Sequence, residues 1–417
     1  MSKLIRLTLV MAVLIVSLPA IPALAQGTPP TLPPGCQLGI ATSGAQWLIC
    51  VPPNWNHNLV LYAHGYVKPG PVLAIPWDQM ALPGGPSIPE LVTSLGFAFA
   101  TTSYSTNGLA VQQGIDDLRD LVTLFANITH TSPNRTFLVG ASEGGLITTL
   151  AVERYPQTFS GGLATCGPVG DFRKQINYWG DFRAVFDYFF PGLVPGSAVS
   201  VPQSLMDGWE NSYYPQVVLP AIANPASAYS VTQLLRVTQA AYVPSQPETA
   251  IATISGILWY NVFATNDGIE KLKGQPFDNN PRWYFGSSND WLLNKKVQRF
   301  DADPAALFNI ANYYQTSGRL KSPLVTLHTT GDPIVPYWHE PFYRVKVWAS
   351  RSALMYTNIP ILRYGHCNFK ASEVLAGFAL LVLKVTGKEL VGGTQALPDA
   401  AAQSEFLRLA KEHGALR

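Results

Sequence analysis

The sequence predicts an α/β protein, a mostly parallel, doubly wound sheet carrying an inserted, mainly helical lid. Three observations predict it. Short apolar runs bounded by glycine recur between residues 37 and 170, as buried parallel strands do. Segments of helical spacing alternate with those runs, the pattern of a sheet covered by helices on both faces. The alternation stops after Gly170 and resumes at Pro323, so the residues between form a unit of their own.

Taken in order, 37–42 and 46–51 read as an opening β-hairpin. Residues 59–63, 97–101 and 137–139 are short apolar runs that read as central strands, the first ending in His64-Gly65 and the last in Gly140-Ala141-Ser142. Residues 111–127 place Ile115, Leu118, Leu121, Val122 and Phe125 on one helical face, which predicts a helix packed on the sheet. Residues 144–155 form the next helix and 161–165 the strand after it. The insertion, 171–319, holds Trp179, Trp209, Trp259, Trp283 and Trp291 and the clusters Tyr188-Phe189-Phe190 and Trp283-Tyr284-Phe285, too much aromatic surface for a disordered loop. Strand logic returns at 323–328 and 355–362, and 372–385 is the last core helix, so the core comprises 37–170 and 320–386. The tail, 387–417, ends in an amphipathic segment over 400–409.

With 28 Lys+Arg against 26 Asp+Glu the formal charge is +2, and no basic run concentrates it. Such a balance gives no field that would gather nucleic acid or an anionic membrane. At the N-terminus Lys3 and Arg6 precede the apolar stretch 7–18, and Ala23-Leu24-Ala25 places small residues at the cleavage positions. This predicts a signal peptide over 1–25, cut after Ala25, and a secreted or periplasmic protein. The apolar run falls short of the ~20 residues that span a bilayer, and no later stretch is long and apolar enough, so no stable membrane insertion is expected after cleavage. Proline-rich 26–36 reads as an extended linker. Export permits disulfides. Cys36 and Cys50 flank the hairpin while Cys166 and Cys367 fall at strand ends, which favours pairing 36 with 50 and 166 with 367 over free buried thiols.

Gly140-Ala141-Ser142-Glu143-Gly144-Gly145 fits G-x-S-x-G, in which a nucleophile sits on a strained strand-to-helix turn. Gly140 and Gly144 flank the elbow because side chains there would collide with strand and helix. A serine hydroxyl needs a base, and the base needs a carboxylate to hold its tautomer. His366, in a glycine-containing loop after the last strand, is the candidate base over His328, His339 and His413. Asp332, in a tight turn after the strand at 323–328, is the candidate acid over Asp301, Asp303 and Glu340. The oxyanion donors are the amides of Glu143 and of Tyr66 in Ala63-His64-Gly65-Tyr66, with the Tyr66 hydroxyl as a variant. No pair of residues has zinc spacing and no glycine-rich loop fits a nucleotide, so neither metal nor cofactor is expected.

Together, Ala63-His64-Gly65-Tyr66, Gly140-Ala141-Ser142-Glu143-Gly144, Gly331-Asp332-Pro333-Ile334-Val335 and Gly365-His366-Cys367 resemble the ordered signature of the α/β-hydrolase superfamily. The cysteine after the base is similar to that of tannase-like extracellular esterases, although those pair it with a cysteine beside the nucleophile, where this chain has Ala141. The Asp332 and His366 segments also resemble those of prolyl-oligopeptidase-type hydrolases. The resemblance implies a serine hydrolase of the α/β-hydrolase fold with a Ser-Asp-His triad. Its substrate would be a small-molecule ester, with a peptide or amide as the alternative, for which Asp278 or Asp290 could hold an amino terminus. A binding protein that has lost turnover is the third reading.

Overall fold

The computed structural model describes residues 32, 34–83 and 85–416. The signal-peptide reading over 1–25 and most of the linker over 26–36 lie outside them. Eight strands form one sheet: β1 (Cys36–Ile40), β2 (Gln46–Cys50), β3 (Asn58–Ala63), β4 (Ala98–Thr102), β5 (Arg135–Ala141), β6 (Gly161–Thr165), β7 (Leu324–Gly331) and β8 (Tyr356–Tyr364). Their order is β1-β2-β4-β3-β5-β6-β7-β8. β2 pairs antiparallel with β1 and with β4, and every remaining neighbour is parallel. In the hairpin Cys36 lies opposite Cys50, and a disulfide joins them. β7 runs on past His328 because β8 keeps pairing with it across a register shift between Thr329 and Gly331.

The helices follow from patterning and caps. α1 (Ile88–Ser94) is absent from the sequence reading, because 67–90 is proline-rich and shows no long period. A capping box nonetheless fixes its start: Ser87 accepts from the Glu90 amide and Glu90 accepts from that of Ser87. α2 (Val111–Thr129) buries Ile115, Leu118, Leu121 and Phe125, the face the sequence marked. α3 (Glu143–Arg154) is buried along most of its length.

The insertion is helical: α4 (Phe172–Phe189), α5 (Gln203–Gly208), α6 (Leu219–Ile222), α7 (Ala228–Thr238), α8 (Glu248–Lys271), α9 (Asp290–Lys296) and α10 (Pro304–Asn309), with π-helical turns at Trp209–Val218 and Ile310–Tyr314. Phe182, Phe186, Trp209, Leu234, Ile254, Leu258 and Val262 give it a core of its own. After it come α11 (His339–Ala349), α12 (Ala371–Thr386) and α13 (Ala400–Glu412). Phe378 of α12 meets Phe97 and Phe137 edge-on, at centroid distances of 5.5 and 5.8 Å, which seals one face of the sheet. The tail docks through α13, which lies against α12. It buries Phe406, Leu409 and Ala410, and Glu405 accepts from Lys370 Nζ and Ser372 Oγ, both at 2.8 Å. Among the described residues no helix is long and apolar enough to cross a membrane.

Candidate active site

Ser142 stands between β5 and α3 with φ 56° and ψ −120°. A non-glycine residue there is strained and persists only where its surroundings over-determine it. Both of its peptide groups are held: the Ser142 N–H donates to Thr165 O and the Gly145 N–H donates to Ser142 O, each at 2.9 Å. The elbow closes only with glycine on either side. A Cβ on Gly140 would lie 2.1 Å from Gly144 O, and one on Gly144 would lie 1.9 Å from Ala63 O.

Asp332 and His366 leave the same edge of the sheet, the carboxyl ends of β7 and β8, where ligands collect in open α/β sheets. The sheet brings the three together. His366 Nε2 is 2.8 Å from Ser142 Oγ, and His366 Nδ1 is 2.8 Å from Asp332 Oδ2. Asp332 Oδ1 accepts from the Ile334 and Val335 amides, both at 2.9 Å. Burial pushes the Asp332 carboxyl up, but the charges and hydrogen bonds of His366 and His328 outweigh it and bring it down to about 2. The acid is therefore ionised and oriented, and a serine proton can pass to Nε2.

A disulfide joins Cys166, at the end of β6, to Cys367, the residue after His366. Both cysteines hold left-handed backbone, φ 47° and 50°, which the crosslink helps to enforce. Replacing both by alanine is expected to lower unfolding stability by roughly 2–5 kcal/mol. The same change should lower kcat by up to about 100-fold through a displaced His366. Urea unfolding curves and ester kinetics check both, and unchanged kcat would show that the crosslink does not steady the base.

The candidate oxyanion donors after β3 differ in what already engages them. The Gly65 amide is taken by Gln79 Oε1 at 2.7 Å, and the Tyr66 hydroxyl donates to Phe263 O at 3.1 Å. Among the described residues the Tyr66 and Glu143 amides donate to no protein acceptor, so both are available to an anion. His64 is structural. Its ring stacks on Tyr104 at 3.8 Å, its Nδ1 donates to Gly65 O at 2.7 Å, and burial, against its hydrogen bonds to the Gly65 and Ser103 backbone, lowers it to about 4.

The Glu143 side chain, unlike its amide, was not singled out by the sequence. It is buried, with Oε1 accepting from the Ala110 amide at 2.8 Å and Oε2 without a partner. Burial raises it to about 8, opposed by the Ala110 amide and Lys271 and reinforced by Asp267. A carboxyl that binds its proton more tightly folded than unfolded makes stability fall as pH rises from about 4.5 to about 8. Glu143→Gln is expected to flatten that fall and to gain up to a few kcal/mol above pH 8, roughly, as read from urea midpoints across pH.

Ser142 and Glu143 line a pocket walled mostly by apolar side chains such as Leu109, Leu146, Phe172, Trp179 and Phe277. Tyr260, from α8, also lines it. Its hydroxyl approaches Ser142, its ring stacks on Trp179 at 4.7 Å, and burial and the Asp332 charge hold its proton on well above the usual range. Nothing in the sequence ties Tyr260 to Ser142, since the contact depends on how the insertion docks. The insertion also grips the acid loop: Gln175 Nε2 and Trp179 Nε1 donate to Ile334 O at 2.9 and 3.0 Å, and Tyr178 Oη donates to Pro333 O at 2.7 Å.

The rival residues have other partners. Asp301 accepts from Asn280, Asp303 from the Gln275 amide, His339 bonds Gly170 and Gln175, His413 caps α13, and Glu340 bonds His328. Cys166, Cys367 and His366 come within 4.8 Å of one another, but both sulfurs are in the disulfide and the imidazole faces Ser142.

Residues 107–241 match the model of a family described as serine aminopeptidase, S33. No curated protein matches the chain. Among solved structures it is similar to feruloyl esterase B from Aspergillus oryzae, at 17% identity over 84% of this chain and 79% of that one, TM-score 0.49. An esterase from Pyrococcus furiosus matches at 10% identity over 90% and 89%, TM-score 0.41. An acylaminoacyl peptidase from Pyrococcus horikoshii matches at 11% identity over 79% of this chain but 37% of that one, TM-score 0.37.

Proposed function

We infer that this chain, an α/β-hydrolase, is a secreted serine hydrolase that cleaves carboxylic esters through an acyl-enzyme on Ser142. The observation that carries the reading is the unbroken line from Asp332 through His366 to Ser142, two contacts of 2.8 Å, opening on an apolar cavity. His366 takes the serine proton as Oγ attacks the acyl carbonyl. The Tyr66 and Glu143 amides hold the oxyanion, each worth roughly 3 kcal/mol. The leaving alcohol takes the proton back, and water repeats the sequence on the acyl-enzyme.

Ester is favoured over aminoacyl amide by the state of the candidate carboxyl groups. A free amino terminus needs a carboxylate there. Glu143 is neutral below about pH 8, Asp278 pairs with Arg173, and Asp290 accepts from the Gly286 and Ser287 amides. Apolar walls favour an apolar or aromatic acyl or alcohol group. Export is supported by the 1–25 segment and by two disulfides.

A peptidase reading has one observation in its favour, the aminopeptidase-family match over 107–241. A panel of nitrophenyl esters set against aminoacyl and prolyl amides separates the two. Esters are expected to turn over faster, and faster amides would reverse the ranking. An inactive binding protein would show no turnover in either arm.

A further inference from the structure

Beneath Asp332 lies a buried histidine that acyl transfer does not use. His328, on β7, is 0% exposed. Its Nε2 lies 2.8 Å from Val335 O and 3.6 Å from Asp332 Oδ2, and its Nδ1 lies 3.0 Å from Glu340 Oε1. A backbone carbonyl only accepts, so Nε2 carries a proton. Glu340 Oε2 receives the hydroxyls of Thr326 and Tyr356, both at 2.6 Å, as an ionised carboxylate does. If Nδ1 donates to Oε1 as well, both nitrogens are protonated and the ring is an imidazolium, clamped between Glu340 and the acid loop.

We propose that His328 is a positioning residue: paired with Glu340, it presents a positive charge to Asp332 and so keeps that carboxylate ionised and aligned on the base to lower pH than the triad alone would. This rests on the serine hydrolase reading above. Asp332 Oδ2 is shared, 2.8 Å from His366 Nδ1 and 3.6 Å from His328 Nε2. A cation already beside that oxygen favours the ionised carboxylate, so Asp332 remains an acceptor for the base as the pH falls. Glu340 sits on the opposite nitrogen, which leaves the positive end of the pair facing the triad. Burial pushes the His328 ring down, yet the hydrogen bonds and charges of Asp332 and Glu340 outweigh it and carry it to about 10.

The other groups around these two rings leave that charge uncancelled. His339, from α11, is neutral: its Nδ1 accepts from the Gly170 and Asp171 amides, and burial, with Lys174 and Lys346 nearby, lowers it well below the usual range. Tyr178 of α4, Tyr260 of α8, Tyr337, and Tyr356 and Tyr364 of β8 all keep their protons, because burial raises each of them. Glu143, on the Ser142 side, is held neutral to about pH 8.

Two measurements test the proposal. In the unmodified protein, nitrogen NMR of labelled histidine should show one ring carrying both N–H protons up to about pH 10. Absence of any doubly protonated ring at pH 8 overturns the proposal whether or not any variant folds. In the second, the rate of fluorophosphonate labelling is followed against pH. His328→Gln, which can still donate to Val335 O, should move the low-pH fall of that rate upward by roughly half a pH unit or more. Glu340→Gln should move it the same way, because without that carboxylate the ring gives up its Nδ1 proton and with it the charge facing Asp332. A folded variant with lower rates but an unmoved fall would reduce His328 to packing and sink the idea. If the unmodified protein does not label at all, the serine hydrolase reading fails instead, and the NMR spectrum still decides the charge on His328.

Discussion

Ser142→Ala is expected to lower kcat/KM for a nitrophenyl ester by roughly a millionfold and to abolish fluorophosphonate labelling. The substitution deletes one atom, Oγ, whose hydrogen bond runs to His366 Nε2 at 2.8 Å. It leaves the Tyr66 and Glu143 amides and the cavity in place, so a residual rate of roughly a thousandfold or more over water should persist from those parts alone. Stability should change by less than about 1 kcal/mol, because alanine keeps the Cβ and the same backbone strain at φ 56°. A variant that retained a tenth of the original rate would have another nucleophile, and the acyl-enzyme on Ser142 would have to be abandoned.

The second large effect is at the acid. Asp332→Asn should cost roughly ten-thousandfold in kcat with little change in KM. The reason is specific to this loop. The Ile334 and Val335 amides both point at Oδ1, so the amide oxygen of the new side chain must take that place and its NH₂ must turn toward His366. His366 Nδ1 then accepts, its proton moves to Nε2, and the nitrogen facing Ser142 can no longer take one. The same NH₂ meets the Nε2 proton of His328, 3.6 Å from the present Oδ2. Raising the pH should not restore the rate, since the fault is one of tautomer. Recovery at high pH would show that Asp332 acts through charge alone.

Much of the fold was legible because parallel strands leave a strong trace. β3, β4 and β6 are short and buried on both faces, and glycine stands near Ser142, Asp332 and His366 at the strand ends. The Ser142, Asp332 and His366 assignments followed from chain order and from loops after strands, information that is local. What could not be read depends on distant docking. α1 hides in a proline-rich stretch whose only signal is the capping pair Ser87 and Glu90. Tyr260 meets Ser142 only because α8 folds back over the sheet. His328 and Glu340 were weighed separately, as base and acid, and their being partners required α11 to bring Glu340 beside β7. The lining aromatics divide in the same way, Trp209 into the insertion's own core and Trp179 into the cavity wall, a distinction composition cannot draw.

The grip of α4 on the Pro333 and Ile334 carbonyls has a mechanical meaning. A helix tied by Gln175, Tyr178 and Trp179 to the loop that carries Asp332 cannot swing aside like a hinged door without pulling the carboxylate out of line. That end of the insertion is better described as a fixed wall bolted to the loop that carries Asp332. Whatever presses on the wall presses on the proton path behind it. A poorly fitting acyl group should therefore betray itself in how fast it reacts once bound, and not only in how weakly it is held.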